Sequence, residues 1–257
     1  MQILTAMRKI CSLGIAACGM LLLLTGLCSC SKDRDALTED TAGTGGSLAR
    51  FTIALNHLYA VDHQLLYTFS LADARNPVKV FTNEVGFDVE TIYTWKDKLF
   101  IGSGTAMYVY SIADPGRPSL LGTALHTRAC DPVVANDSVA YVTVRSGSNC
   151  GGNVNALYVY DLKDVLQPRQ ANVINLQNPY GLGLKDSTLY VCDAAYGLKV
   201  FRISEAYYPL LVSTVTGETF YDCIPYGNLL ICMIEGGMAL YDISDPAHIK
   251  LEAKIRE

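Results

Sequence analysis

The sequence is short of the residues and spacings from which metal sites and catalytic centres are usually built. Its four histidines, His57, His63, His126 and His248, are scattered, and its nine cysteines contain no Cys-x-x-Cys. Metal ligands come at short fixed spacings, so no metal site is expected. A Gly-x-Ser-x-Gly elbow, a phosphate loop and a dinucleotide fingerprint are all missing, so the motifs imply no cofactor and no catalytic residue. The one tryptophan, Trp95, precedes a Lys96-Asp97 turn and reads as packing. Beyond residue 47 no stretch keeps a 3.6-residue apolar period over several turns, which excludes a helical domain.

What the chain does have is a refrain. Thr68-Phe69-Ser70-Leu71-Ala72-Asp73 is followed by Val109-Tyr110-Ser111-Ile112-Ala113-Asp114 and Val159-Tyr160-Asp161-Leu162-Lys163-Asp164. It returns as Val200-Phe201-Arg202-Ile203-Ser204-Glu205 and Leu240-Tyr241-Asp242-Ile243-Ser244-Asp245. The aromatic recurs at 69, 110, 160, 201 and 241, in steps of 41, 50, 41 and 40 residues. A period near 40 residues filled with strand formers is the signature of propeller blades.

Within each repeat, short apolar runs are bounded by Gly, Asp, Asn and Pro, with turns at Asn56-His57, Lys96-Asp97, Asn136-Asp137, Lys185-Asp186 and Gly227-Asn228. That pattern predicts about four antiparallel strands per repeat. Second strands such as Leu99-Phe100-Ile101 and Leu189-Tyr190-Val191 are apolar on both faces, so the sheets must be covered on both sides. The reading is an all-β, five-bladed propeller over residues 48–257, closed as a ring with no strand shared across the seam. The acids ending the refrains (Asp73, Asp114, Asp164, Glu205, Asp245) are read as turn formers. Pro77, Pro118, Pro168 and Pro209 follow the first four by four residues.

The run Tyr190-Val191-Cys192-Asp193-Ala194-Ala195-Tyr196-Gly197-Leu198-Lys199-Val200-Phe201-Arg202-Ile203 resembles one unit of the LVIVD-repeat family of bacterial β-propeller proteins. Tyr241-Asp242-Ile243-Ser244-Asp245-Pro246 is similar to that family's Asp-hydrophobic-Ser-Asp-Pro turn. The resemblance covers nearly all of the chain after residue 49 and implies a secreted or envelope propeller. It brings no catalytic residues with it. The refrain Asp of the family stands at Asp161 and Asp242 but is Ser70, Ser111 and Arg202 in the other copies.

Residues 1–29 read as a lipoprotein signal peptide. Arg8-Lys9 precede an uncharged, mostly apolar run from Ile10 to Leu27. At about 18 residues that run could also serve as a plain anchor helix. Leu27-Cys28-Ser29-Cys30 resembles a lipobox, with cleavage before Cys30 and lipid on its sulfur, and Cys28 as the alternative. Residues 30–47 are expected to form a lipidated flexible tether of polar and glycine-rich composition. Its Lys32-Asp33-Arg34-Asp35 is similar to signals that send some lipoproteins of two-membrane bacteria to the cell surface. An outer-membrane lipoprotein displayed at the surface is therefore expected, with the periplasmic face as the alternative. Loss of residues 1–29 removes Arg8 and Lys9 and leaves 18 basic against 25 acidic side chains, a net of −7 that excludes a nucleic-acid partner.

In the third repeat the second- and third-strand aromatics, Tyr141 and Tyr160, stand 19 residues apart, against ten for Phe100 and Tyr110 in the second. Cys130 lies in the loop entering this repeat and Cys150 in its insertion, and a Cys130–Cys150 disulfide pinning the Arg145–Asn155 insertion is expected in an oxidising compartment. Cys192, Cys223 and Cys232 are read as buried free thiols, with a Cys192–Cys223 bond as the alternative. Propellers gather ligands on the face where their loops converge. The register puts Arg128, Asp131, Tyr180, Tyr221 and Asp222 there, joined by Asp193, Tyr196 and Glu235 from loops between second and third strands. Aromatics beside carboxylates and Arg suit a glycan or a peptide. The leading reading is a membrane-tethered, non-enzymatic module binding a glycan, peptide or envelope protein. The alternatives are a polysaccharide hydrolase with a carboxylate pair drawn from Asp131, Asp193, Asp222 and Glu235, and a purely structural envelope subunit.

Overall fold

The computed structural model describes residues 45–125, 132–147 and 153–256, and every regular element among them is a β-strand. The first sheet holds β1 (Phe51–Ala54), β2 (His57–Ser70), β3 (Val78–Trp95), β4 (Lys98–Ser103), β5 (Ala106–Ser111) and β6 (Ser119–Leu125) in that order. The second holds β7 (Val133–Ala135), β8 (Val139–Val144), β9 (Ala156–Asp161) and β10 (Arg169–Asn175). The third holds β11 (Leu182–Lys185), β12 (Thr188–Cys192), β13 (Leu198–Arg202) and β14 (Leu210–Val215). The fourth holds β15 (Phe220–Tyr226), β16 (Leu229–Ile234), β17 (Gly237–Asp242) and β18 (Lys250–Arg256). All pairings are antiparallel meanders. This is a propeller.

The blades number four, not the five expected, because the first sheet carries two repeats. Two of its strands explain how. A straight strand as long as β2 would run on the order of 45 Å. Yet the Leu71 N–H donates to the Asn56 carbonyl at 2.9 Å, across the two ends of β2. The strand therefore doubles back, with His63 at φ 51 in the fold. The next strand, β3, pairs its first half with β2 (Val78–Glu84) and its second half with β4 (Val89–Trp95). Asp88, at φ 51, marks the handover. Where the third, fourth and fifth repeats are separated by loops, here one strand runs on from the first repeat into the second.

The refrain turns are built as the residue types predict. Asp73, Asp114, Asp164 and Asp245 each accept a backbone N–H two residues ahead, from Arg75, Gly116, Leu166 and Ala247 at 3.0–3.2 Å. These carboxylates shape turns. Trp95 also serves structure, donating its indole N–H to Asp137 at 2.8 Å beside the Lys96–Asp137 ion pair.

Apolar burial lies between successive repeats. One cluster joins Tyr59 and Leu66 of the first repeat to Leu99 and Tyr110 of the second. Others join Phe100 and Met107 to Val142 and Tyr160, Tyr141 and Leu157 to Leu189 and Phe201, and Tyr190 and Leu198 to Leu230 and Tyr241. Among the described residues no such cluster joins the fifth repeat to the first, so the expected closed seam is not formed by packing. The axis is spanned instead by the chain just before β1. Ser47 contacts the third and fourth sheets, and the Ala49 carbonyl accepts the Ile92 N–H of β3 at 2.9 Å.

Candidate binding face

Three side chains from three repeats form a connected aromatic and cationic group. Arg145 leaves the end of β8, where the insertion begins, and its guanidinium lies 4.0 Å from the centre of the Tyr180 ring. Its Nη1 also donates to the Tyr180 hydroxyl at 3.2 Å. Tyr180 in turn meets Tyr221 edge to face, with ring centres 5.2 Å apart and planes at 74°. Both geometries are favourable for π systems, whose faces are negative and edges positive. The backbone fixes the tyrosines. Tyr180 donates its N–H to the Cys192 carbonyl at 2.7 Å, and the Tyr221 carbonyl accepts the Gly181 N–H at 2.9 Å. Both rings are half-buried.

Asp222 does not point into an open funnel. A bulge between Phe220 and Asp222 re-aims the strand, and the carboxylate is buried at the axis. Its Oδ1 accepts the Cys223 N–H at 2.9 Å and the Ser47 hydroxyl at 3.3 Å. The Ser47 oxygen accepts the Leu182 N–H at 2.7 Å, so one hydroxyl joins two sheets. Glycine is required on both flanks. A Cβ at Gly46 would stand 2.2 Å from Asp222 Oδ2, and one at Gly181 would stand 2.0 Å from Oδ1. Burial pushes the Asp222 carboxyl up to about 6, against the pull of its hydrogen bonds. Ser47 was assigned by composition to the flexible tether. It is instead only 1% exposed, because its hydroxyl satisfies two buried groups at once.

Asp193 is fully buried and accepts the Gln177 and Asn178 N–H groups at 3.1 and 2.7 Å, which fixes the loop leading to Tyr180. Burial raises its pKa while those N–H groups lower it, and burial prevails. Tyr196 is exposed on the following turn, held by its own N–H to the Asp193 carbonyl. Glu235 is exposed and accepts the Thr219 hydroxyl at 3.2 Å.

Among the described residues three clefts border these side chains, and two of them adjoin at Gly236 and Arg256. Asp193 borders a cleft of about 430 Å³ with Lys199, Phe201 and Tyr208. Glu235 borders one of about 500 Å³ with Glu218 and Arg256. Tyr221 reaches one of about 540 Å³ with Met233 and Met238. Arg128, Asp131, Cys130 and Cys150 lie outside the described residues, as does Cys30. Arg145 was missed as a contact residue, although its place at the first position of the insertion was the available signal. Cys192, Cys223 and Cys232 are free and buried, Cys223 pairing with Cys232 in register across β15 and β16. Burial holds the Cys192 and Cys232 thiols above the ordinary range.

No protein-family profile matches the sequence, and no curated protein matches it. Solved structures do. A protein from Lactobacillus plantarum superposes with a TM-score of 0.62 at 14% identity, over 79% of this chain and 69% of its own. Apo AztD from Citrobacter koseri gives 0.60 at 12% identity, over 79% and 61%. The periplasmic gluconolactonase PpgL of Pseudomonas aeruginosa gives 0.57 at 12% identity, over 80% and 67%. The chain thus spans 61 to 69% of the length of these structures. At such identities the likeness establishes the propeller fold.

Proposed function

We propose that this chain is a non-enzymatic binding module of the bacterial cell envelope, with Arg145, Tyr180 and Tyr221 as the centre of its ligand surface. The observation that carries this reading is the Arg145–Tyr180–Tyr221 group, assembled from three repeats on one rigid scaffold. Ring faces and a fixed guanidinium suit a glycan: sugar rings stack on tyrosine, and Arg donates to hydroxyl or carboxylate oxygens. A peptide or an envelope protein is the other ligand class compatible with the same groups. The hydrolase reading loses support because Asp193 and Asp222 are committed to backbone and Ser47 partners. That the gluconolactonase shares the fold does not restore it, since fold does not carry chemistry.

The test is titration calorimetry with a panel of neutral and uronic-acid oligosaccharides. Tyr221→Ala and Arg145→Ala should each weaken the binding of a responding sugar by about tenfold or more, in line with the loss of 1–3 kcal/mol for a stacking or charge-assisted contact. Undiminished binding in both variants overturns the site. Binding of peptides but of no sugar overturns the glycan assignment.

The same proposal takes the chain as a five-repeat member of the LVIVD-repeat family, the six-stranded sheet counting as two repeats. It places a lipid on Cys30, outer-membrane attachment and surface display, with the periplasmic face as the other location. The sequence around Leu27-Cys28-Ser29-Cys30 supports the lipid, since only a cysteine sulfur can carry the diacylglycerol. Cys30→Ala should abolish incorporation of labelled lipid. Incorporation that survives Cys30→Ala but not Cys28→Ala moves the site to Cys28.

A further inference from the structure

Each repeat offers two apolar faces, and inside the molecule they always meet in the same way. The face carried by Tyr59 and Leu66 in the first repeat packs on the next repeat, as do Phe100 and Met107, Tyr141 and Leu157, and Tyr190 and Leu198. All eight are at most 1% exposed. The same register in the fifth repeat falls on Ile231 and Met238. Here Met238 is 43% exposed and its neighbour Met233 54%. The receiving face shows the mirror of this pattern. Tyr110, Tyr160, Phe201 and Tyr241 are at most 3% exposed, whereas the matching Phe69 of the first repeat is only half-buried. On that same first-repeat face Phe51 and Ile53 are 61% and 40% exposed.

Among the described residues the first and fifth repeats therefore each leave an apolar face uncovered, and such faces mark interaction surfaces. The four internal interfaces identify what fits a fifth-repeat face: the receiving face of another such repeat. Among the described residues the uncovered receiving face is that of the first repeat. In the single chain these two faces do not bury each other. We infer that the fifth repeat of one copy docks on the first repeat of a second copy, head to tail, the incoming repeat taking the place of the next blade. Met233 and Met238 suit that role, since unbranched thioether side chains adapt to a facing surface. The contact is heterologous, so each copy uses one end as donor and the other as acceptor.

Head-to-tail pairing makes a prediction that no symmetric patch makes. Two differently tagged full chains are co-expressed and one tag is captured. Wild-type copies should copurify. If both chains carry Ile53→Asp, or both carry Met238→Asp, copurification should fall at least tenfold. One chain with Ile53→Asp and the other with Met238→Asp leave one intact pair of faces, and copurification should return. Both positions are exposed in the single chain, so the variants should keep the wild-type circular dichroism and melting profile, which is measured alongside. The inference is overturned if wild-type copies sediment as monomers, or if the mixed pair fails to associate while both variants are folded. It is also overturned if cysteines placed at 53 and 238 cross-link within one chain, which would mean that the ring closes on itself.

Discussion

Leu189 and Leu58 occupy the same place in their repeats, yet one is fully buried against the third repeat and the other is only half-covered at the end of the array. The residue type is the same and so is the local strand pairing. What differs is the neighbour. Stability in this fold comes mainly from the faces that repeats turn to one another and less from the sheets taken singly.

The largest effect that can test this difference is Leu189→Ala, which removes a fully buried side chain and should cost about 2–5 kcal/mol in chemical denaturation. Leu58→Ala should cost about 1 kcal/mol or less in dilute monomer. Equal losses would mean that the first repeat is covered after all. A growing loss for Leu58→Ala at high protein concentration would sharpen the contrast, because association would bury that face.

Charge gives a second contrast, between the axis and the rim. Asp222 at the axis holds its proton more tightly folded than unfolded, from an ordinary 3.8 up to about 6. Its contribution to stability is therefore whole below about pH 4 and is lost as pH climbs through 6, a change of roughly 3 kcal/mol. Asp222→Asn should remove this part of the pH dependence while Ser47 and Cys223 keep an acceptor. Urea midpoints measured from pH 4 to 8 decide it, and parallel profiles for both proteins would refute the assignment. At the rim, Asp164 sits in water and accepts one N–H, at 3.1 Å from Leu166. Asp164→Ala should cost about 1 kcal/mol, the smallest of these effects, read as a small shift in melting temperature.

These contrasts also explain how much could be read in advance. The strands and turns were legible because the refrain writes them repeatedly: Asp114 and Asp164 make the same turn in successive repeats. The long run of β3 was hidden, since Phe87-Asp88 looks like any other polar break, and the chain continues there through a positive φ at Asp88. Ser47 lies in a polar, glycine-rich stretch that composition assigns to a linker. Its role depends on Asp222, 175 residues away. The register brings Tyr180 and Tyr221 to one face, where their rings meet, but Arg145 belongs to an insertion that has no counterpart in the other repeats. Long-range polar pairs and insertions fall outside a repeat grammar, and it is there that the candidate site lies.

The attachment of Ser47 at the axis has a mechanical consequence. A pull on the chain upstream of Gly45 does not arrive first at β1, where hydrogen bonds could open one after another. It reaches Ser47, bonded to Asp222 and Leu182, and then Ala49, bonded to Ile92. These partners belong to the fifth, fourth and second repeats, so the load divides among three parts of the wheel before any strand is peeled. A protein pulled by its N-terminus through such a hub should resist as a unit in shear, and give way with a single high-force event when the Ser47 clamp breaks.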